Sequence, residues 1–588
     1  MGYIDITIIA LYFIITVGLG FWYRKRASRN LESYFLGGKN LPWLALAMSG
    51  AVSNFDITGT MWIVSLLFLL GMKSMWIHWM WGWMMGAFFM SYMGKWVRRS
   101  NVMTGAEWMV TRFGPDRGGK FSRTAYALMA VITQASFIGY AFQGIGKFAS
   151  VYVPFKPAAC AMLIIGLTTI YVLLGGLYSV VVTDVIQTVI LTVAGILIAG
   201  VAYSKLTPEI INSAVPEGWN SLLPQWRLAG TSGAGTAEYE FFGALVIVWV
   251  LKGLLLNAGG PAQMYDFQRF LAARDARDAA KVGASWSFFL IIRWAMAAGI
   301  TLLAICGIAS INDPEKVMPV VLQEFLPPGV RGIVIAGLLA AFMSTFSSTV
   351  NSGASYLVRD FWQPFFRPGA GEKQLIRSSY IATVAIVLAG VAIGYQAKSI
   401  AQIWNWMMMA LGAGVIVPNV LKWYWWRMNG WGFTAGTLGG IILSLPFFFL
   451  PDTPMYIVFP SICIASLLAS ILGSLLTPPV GQDTLISFYR NVRPFGLWGP
   501  IREKAPLSPA EKGQASEKAS PAVLNTLLGI IAITGYYLFP MFLVGHWPAQ
   551  ALFCLGAALL ATAVLSITWY RNLPPKEPRC SKRLSGSS

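Results

Sequence analysis

Charge is scarce in this sequence. Asp, Glu, Lys and Arg make up 11% of its 588 residues, against about 25% in soluble domains, and that excludes an ordinary soluble fold. Histidine is scarcer still. There are two, and neither HExxH nor GxSxG occurs, so the catalytic sets of a membrane-embedded metalloprotease or serine hydrolase are missing. The five cysteines, Cys160, Cys306, Cys463, Cys554 and Cys580, are far apart and form no CxxC. They give neither a metal site nor a disulfide framework. Acidic residues are outnumbered by basic ones, 24 to 43. Gathered in one domain, that excess would suggest nucleic acid. It sits instead in short loops between apolar runs, as cytoplasmic loops beside a membrane do, and no nucleic-acid partner is expected. The sequence also has no Asn-x-Ser/Thr glycosylation acceptor, which favours a bacterial inner membrane as its location.

What the sequence has is apolar length. Hydrophobic residues make up 56% of it, and runs long enough to cross a bilayer recur from end to end. The expected fold is an all-α polytopic membrane protein with about fifteen spans. They lie at roughly 5–23, 42–70, 73–94, 121–150, 156–175, 178–203, 238–257, 284–310, 331–357, 376–397, 400–421, 430–450, 455–476, 522–543 and 547–569. The first span has no basic residue before it and Arg24, Lys25, Arg26 and Arg29 after it. That is the reverse of a cleavable signal and fits a retained anchor with its N-terminus outside. An odd number of spans then brings the C-terminus inside. By this topology about 32 Lys and Arg fall in internal loops and about 5 in external ones.

Several polar groups interrupt the spans, and their cost in hydrocarbon makes each a functional candidate. "ALAMSGAVSNFDITGTMW" (45–62) carries Ser53, Asn54, Asp56, Thr58 and Gly59. "VIVWVLKGLLLNAGGPAQ" (246–263) carries Lys252, Gly253, Asn257, Gly259, Gly260 and Pro261. Both read as broken helices, five spans apart. Paired breaks in matching positions of inverted halves point to a secondary transporter with its site at the midplane. The core is expected at 42–421, with repeats of about 42–203 and 238–421. Residues 1–41 hold an extra helix and a linker, 422–476 additional spans, 477–521 a cytoplasmic linker, 522–569 a terminal helix pair and 570–588 a basic tail.

"AAFMSTFSSTVNSG" (340–353) is the densest hydroxyl cluster, with six Ser or Thr in fourteen residues. Residues three and four apart share a helix face. A carbonyl freed near Ala341 with the hydroxyls of Ser344 and Thr345 makes an oxygen half-cage, which carbonyls near Val52 and Phe55 of the broken helix could complete. Hard monovalent cations take such ligands. Close helix packing is the competing reason for so many small hydroxyls. Asp184 either ligates a second cation with Ser347 and Ser348 or bonds loop amides or a basic residue.

"YFLGGKNLPW" (34–43), "YVLLGGLYSVVVTDVIQ" (171–187), "QRFLAARDARDAAKVG" (268–283) and "AAFMSTFSSTVNS" (340–352) resemble the signature segments of the sodium:solute symporter family. The resemblance covers roughly residues 1–480 in order. It implies a leucine-transporter-like, five-plus-five inverted-repeat core with extra flanking helices, sodium coupling and alternating access. It places a sodium site at Val52, Phe55, Ala341, Ser344 and Thr345, and a possible second one at Asp184, Ser344, Ser347 and Ser348. One or two sodium ions are therefore expected, with no other metal and no organic cofactor. The sugar-carrying members are matched poorly at their substrate positions. His78 stands at their binding Glu, Gly59 at a Gln, Phe137 at an Asn and Gly259 at an aromatic gate.

The substrate candidates are Asn54, Asp56, His78, Gln134, Phe137, Lys252, Asn257, Trp404 and Asn405, with Trp79 beside them. Aromatic faces with a few polar groups suit a sugar or sugar derivative, including a sugar acid. Lys252 or Arg293 could pair with Asp56 or hold an anionic group, and His78 could bond to Asp56. An amino acid, amine or carboxylate, and proton coupling through Asp56, His78 or Asp184, stay open. A membrane-embedded enzyme or a sensor is the alternative from another class. The expected partners are the solute, sodium and the lipid bilayer.

Overall fold

The computed structural model describes residues 1–27, 41–78, 84–102, 105–174, 177–228, 239–260, 264–308, 311–450, 452–505 and 518–576. Residues 34–40 of the "YFLGGKNLPW" segment, Trp79, Pro261, Cys580, residues 506–517 of the 477–521 linker, part of the external loop before 239 and the tail after 576 lie outside the described residues.

Hydrocarbon offers backbone groups no partners, so an apolar run must satisfy them within itself as a helix. Every expected span has helix among its described residues, and no strand occurs among them. The run at 73–94 is the most irregular, and its residues 79–83 lie outside the described residues. The preceding helix, Ile57–Leu70, stops at Gly71, whose φ of +67° lies in the left-handed region. A short 3₁₀ turn, Gly71–Trp76, follows and lies along the external loop. Met72 N–H donates to the Trp219 carbonyl at 2.8 Å, and the Trp76 indole donates to Leu222 at 2.6 Å. The next helical stretch runs over 85–99. A Cβ on Gly71 would stand 2.5 Å from the Trp219 carbonyl oxygen. Gly71→Ala is therefore expected to cost about 1–3 kcal/mol, read as a lower thermal midpoint of the detergent-solubilised protein.

The serine-rich helix Val330–Ser355 is the centre of the molecule. It packs against Tyr3–Ala27, Trp43–Ser53, Arg117–Ala149 and Leu177–Lys205. In its span 89% of the most apolar window is buried, against 28% for the last span, Pro548–Tyr570. The first therefore faces protein on all sides and the second faces lipid. The terminal pair, Ala519–Val544 and Pro548–Leu565, packs against Ile291–Gly307 and Met85–Phe88. The N-terminal helix is tied down by Asp5. Its carboxylate accepts from the N–H groups of Gly2, Gly329 and Gly332 and from the Arg331 guanidinium at 2.8–3.0 Å.

Small residues allow some helices to meet backbone to backbone. Gly139 of Arg117–Ala149 lies against Gly390 and Gly394 of Glu372–Gln396, where a Cβ would come within 3.0 Å of the Gly390 oxygen. Gly414 and Gly440 make a second seam of this kind between Ile400–Tyr424 and Gly430–Phe449. At the outer end, Lys147 donates to Asp313 at 3.1 Å and to Glu315 at 2.6 Å, and Glu315 accepts from the N–H groups of Ile400 and Ala401.

Candidate functional site

The second span breaks at the residues that sequence reasoning singled out. Trp43–Ser53 ends, and Asp56 caps the next helix by accepting from Gly59 N–H at 2.9 Å. A short acidic side chain at an N-cap supplies the partner that a helix start lacks. The carbonyls released by the break are put to use. Ser53 accepts from Thr345 Oγ1 at 2.7 Å, and Asn54 accepts from Arg293 Nη1 at 2.6 Å. Val52 O accepts the 3₁₀ bond from Phe55 N–H. The seventh span breaks at the last of the residues named for it. Phe242–Ala258 runs unbroken through Lys252 and Gly253, supported by Asn257 Nδ2 donating to the Gly253 carbonyl at 2.7 Å. The turn comes at Gly259 and at Gly260, with φ of +111°, before Met264–Ala272.

Two buried clusters lie on either side of the first break. On one side is an oxygen cluster. Thr345 Oγ1 bridges the Ser53 and Ala341 carbonyls at 2.7 and 3.1 Å. Ser344 Oγ donates to Asp184 Oδ1 at 2.6 Å and lies 3.4 Å from Ser53 Oγ. Ser49 Oγ donates to Asp184 Oδ2 at 2.5 Å. The side chain that completes this cluster, Arg269, was not among the expected site residues. Its Nη2 donates to Ser53 Oγ at 2.8 Å, Ser348 Oγ at 3.0 Å and Ser49 Oγ at 3.3 Å, and stands 3.8 Å from Asp184. Arg269 and Asp184 are both fully buried. Ser347, expected beside Asp184, donates instead to the Ser344 carbonyl of its own helix.

On the other side is a narrow cavity of about 40 Å³ lined by Ser53, Asn54, Asp56, His78, Phe137 and Thr345, with Trp62, Tyr140, Arg293, Trp294 and Trp404 among its other walls. Arg293, not Lys252 or His78, pairs with Asp56. Nη2 is 3.5 Å from Oδ1, and Nε donates to Thr60 Oγ1 at 3.2 Å. His78 packs edge-on against Trp62, centroids 4.8 Å apart, and against Trp294 at 5.6 Å. Trp404 stacks near Trp62 and Tyr140, at 5.0 and 5.1 Å. The result is an aromatic box with one ion pair at its edge.

The other candidates fall elsewhere. Gln134 Nε2 donates to Ser352 Oγ at 3.4 Å. Gln134, Asn257 and Asn405 are buried but are not among the residues lining this cavity. Lys252 lines a second cavity, separated from the first by Phe137, which borders both.

A family model, the sodium:solute symporter family, matches residues 34–440. The chain is 25% identical over 499 residues to a sodium/glucose cotransporter of Vibrio parahaemolyticus, covering 78% of this chain and 87% of that protein. It is 23% identical over 491 residues to an osmoregulated proline transporter of Bacillus subtilis (strain 168), covering 80% and 94%. It superposes with a TM-score of 0.64 and 17% identity on a Na⁺-coupled sialic acid symporter, solved substrate-bound and outward-open, covering 82% of this chain and 99% of that one. That likeness shows the fold, a leucine-transporter-like inverted-repeat core.

Proposed function

Since the chain belongs to the sodium:solute symporter family and is a multi-pass membrane protein, we propose that it imports a small polar organic solute, a sugar or sugar derivative including a sugar acid, together with sodium. The observation that carries the reading is Thr345 Oγ1. It joins the Ala341 carbonyl to a carbonyl of the broken helix, at the wall of the aromatic cavity. Val52, Phe55, Ala341, Ser344 and Thr345 are the proposed sodium ligands. Sodium there replaces the Thr345 hydrogen bonds with ion–oxygen contacts and holds the break against the serine-rich helix. Sodium and solute then favour the same conformation, and each raises the affinity of the other by the same factor.

The solute is assigned to the aromatic box. Ring faces of Trp62, Trp404 and Tyr140 suit the apolar face of a sugar, and Asp56 with Arg293 offers an acceptor and donors to its hydroxyls. A cavity of about 40 Å³ admits a few waters rather than a sugar, so binding includes an outward movement of these rings. An amino acid is the second reading, favoured by the same ion pair, since Asp56 and Arg293 match an ammonium and a carboxylate.

The proposed second site, with Asp184, Ser344, Ser347 and Ser348, already has a positive group in it. A second sodium there requires the Arg269 guanidinium to withdraw. We therefore assign one sodium to the state described and make the second conditional on Arg269.

Radiosodium uptake into proteoliposomes tests the reading. A solute that couples to sodium is expected to raise sodium uptake severalfold over the solute-free rate, and sodium to raise labelled-solute uptake over choline. Solute uptake that ignores sodium and follows pH would transfer the coupling to protons.

A further inference from the structure

A groove of about 700 Å³ runs along the seam of the terminal helix pair, Ala519–Val544 and Pro548–Leu565, and ends at the external loop 220–222. Small residues make it. Gly535 lies so close to the second helix that a Cβ would stand 2.4 Å from the Cys554 carbonyl oxygen. Ala549 and Ala557 put only methyl groups along one wall, and Ile531 and Leu538 of one helix and Phe553 of the other give it height. The volume falls in the range of small-molecule sites, about 300–1,000 Å³.

The surroundings decide what fills it. In the last span 28% of the most apolar window is buried, so this pair borders lipid, and Ile531 and Phe553 are 49% and 78% exposed. No charged residue lines the groove. Asn220, Ser221 and Gln550 bring polar side chains to its loop end, and deeper in only Thr534 and Cys554 carry polar side-chain atoms. From Phe542 near the loop end to Ile530 the helix descends about 18 Å. That is little more than half of the roughly 30 Å hydrocarbon core, the depth of one leaflet. An apolar hollow open to a bilayer does not stay empty, because its walls would forfeit their dispersion contacts. A polar mouth over an apolar interior one leaflet deep matches a glycerolipid, with the glycerol esters above and an acyl chain below.

The rim of the groove is tied to the central cavity twice. On the loop side, the Trp219 carbonyl accepts from Met72 N–H at 2.8 Å, the Leu222 carbonyl from the Trp76 indole at 2.6 Å and the Gly218 carbonyl from Lys73 Nζ at 3.2 Å. Ile77 and His78, next in the chain, line the central cavity. On the helix side, Tyr537 stacks on Trp294 with centroids 5.4 Å apart. Trp294 is a wall of the central cavity, and Leu538, beside Tyr537, is a wall of the groove.

We propose that the groove binds a phospholipid of the outer leaflet by one acyl chain, and that the bound lipid holds the 218–222 loop, and through it residues 71–78, in place. The lipid is part of the wall behind the central cavity. Recognition lies in the chain and the glycerol esters, since no charge in the groove selects a headgroup. The inference does not depend on which solute or ion is carried.

The test uses the full-length protein in vesicles of phosphatidylethanolamine and phosphatidylglycerol, doped with a phosphatidylethanolamine that carries a photoreactive diazirine in mid-chain. Adducts mapped by peptide mass spectrometry are expected on residues 530–557 severalfold above those on Met455–Leu475, another lipid-facing helix. Ala557→Phe fills the groove and is expected to lower its adducts about tenfold. Leu560→Phe, on the same helix but outside the groove, is expected to leave them unchanged. In detergent, adding phosphatidylethanolamine to delipidated wild-type protein is expected to slow amide hydrogen exchange over 71–78 severalfold, and Ala557→Phe to lose that response. If Ala557→Phe fails to fold, the wild-type adduct map and the wild-type exchange response decide.

Adducts spread evenly over the lipid-facing helices would mean ordinary surrounding lipid and overturn the proposal. So would a dimer of the chain, seen by light scattering, that Ala557→Phe separates, since a second copy would then cover the groove. Adducts in the groove with exchange over 71–78 unmoved by lipid would keep the lipid and remove its hold on the loop.

Discussion

Arg269→Met is expected to destabilise the protein by about 3–5 kcal/mol, because it strands the Asp184 carboxylate in the centre of the molecule without its positive neighbour. Much of the loss is expected to return in the double variant Arg269→Met with Asp184→Asn, where neither charge is left buried. The interaction between the two substitutions is the quantity to measure, by thermal or denaturant unfolding of the four proteins. Ser49, Ser53, Ser344 and Ser348 stay in place in Arg269→Met, so the site becomes a carboxylate surrounded by hydroxyls. Sodium, compared with choline, is then expected to raise the midpoint of Arg269→Met by more than that of the wild type. Equal sodium responses would mean that no cation is exchanged with the guanidinium, and the conditional second site would be withdrawn.

The second large effect is expected from Ser344→Ala combined with Thr345→Ala. A hydrogen bond to a charged group contributes about 1.5–3 kcal/mol, and an ion–oxygen contact of similar strength lost at two positions would total about 3–6 kcal/mol. The sodium concentration for half-maximal uptake is then expected to rise at least about a hundredfold. Thr345→Ser keeps the hydroxyl that bridges Ser53 and Ala341 and is expected to stay near the wild-type value. Half-saturation unchanged in the double alanine variant would return these hydroxyls to helix packing. Ser344 also donates to Asp184, so an unfolding measurement must accompany the transport assay. A loss of stability without a change in sodium dependence would assign Ser344 to the buried network alone.

The helices were legible because each span is a long apolar run, and the break at Asn54–Asp56 because polar residues there are costly in lipid. The interruption at the start of the run at 73–94 was not legible, because the left-handed Gly71 and the bonds of Met72 and Trp76 to the loop at 219–222 leave no trace in hydropathy. Arg269 was missed because it falls in a short basic stretch between spans, where a positive charge has a sufficient explanation in topology. Its burial follows only from the fold-back of Met264–Ala272 against Trp43–Ser53. Lys252 was recognised as out of place, and its packing on Trp249 of its own helix, within the unbroken Phe242–Ala258, gives no sequence signal. Arg293 was named as one of several partners for Asp56, and distance in the fold singles it out.

The glycine seams limit how the molecule can change shape. Two backbones in contact fit in one registry, so Arg117–Ala149 with Glu372–Gln396, and Ile400–Tyr424 with Gly430–Phe449, have no soft sliding coordinate. Each pair behaves as a plate. The central cavity is bordered by rings instead, and rings that swing on their own torsions act as bearings between plates. A transport cycle of the kind proposed is then expected to move the plates relative to one another, with the rings taking up the movement, rather than to slide the helices within a plate.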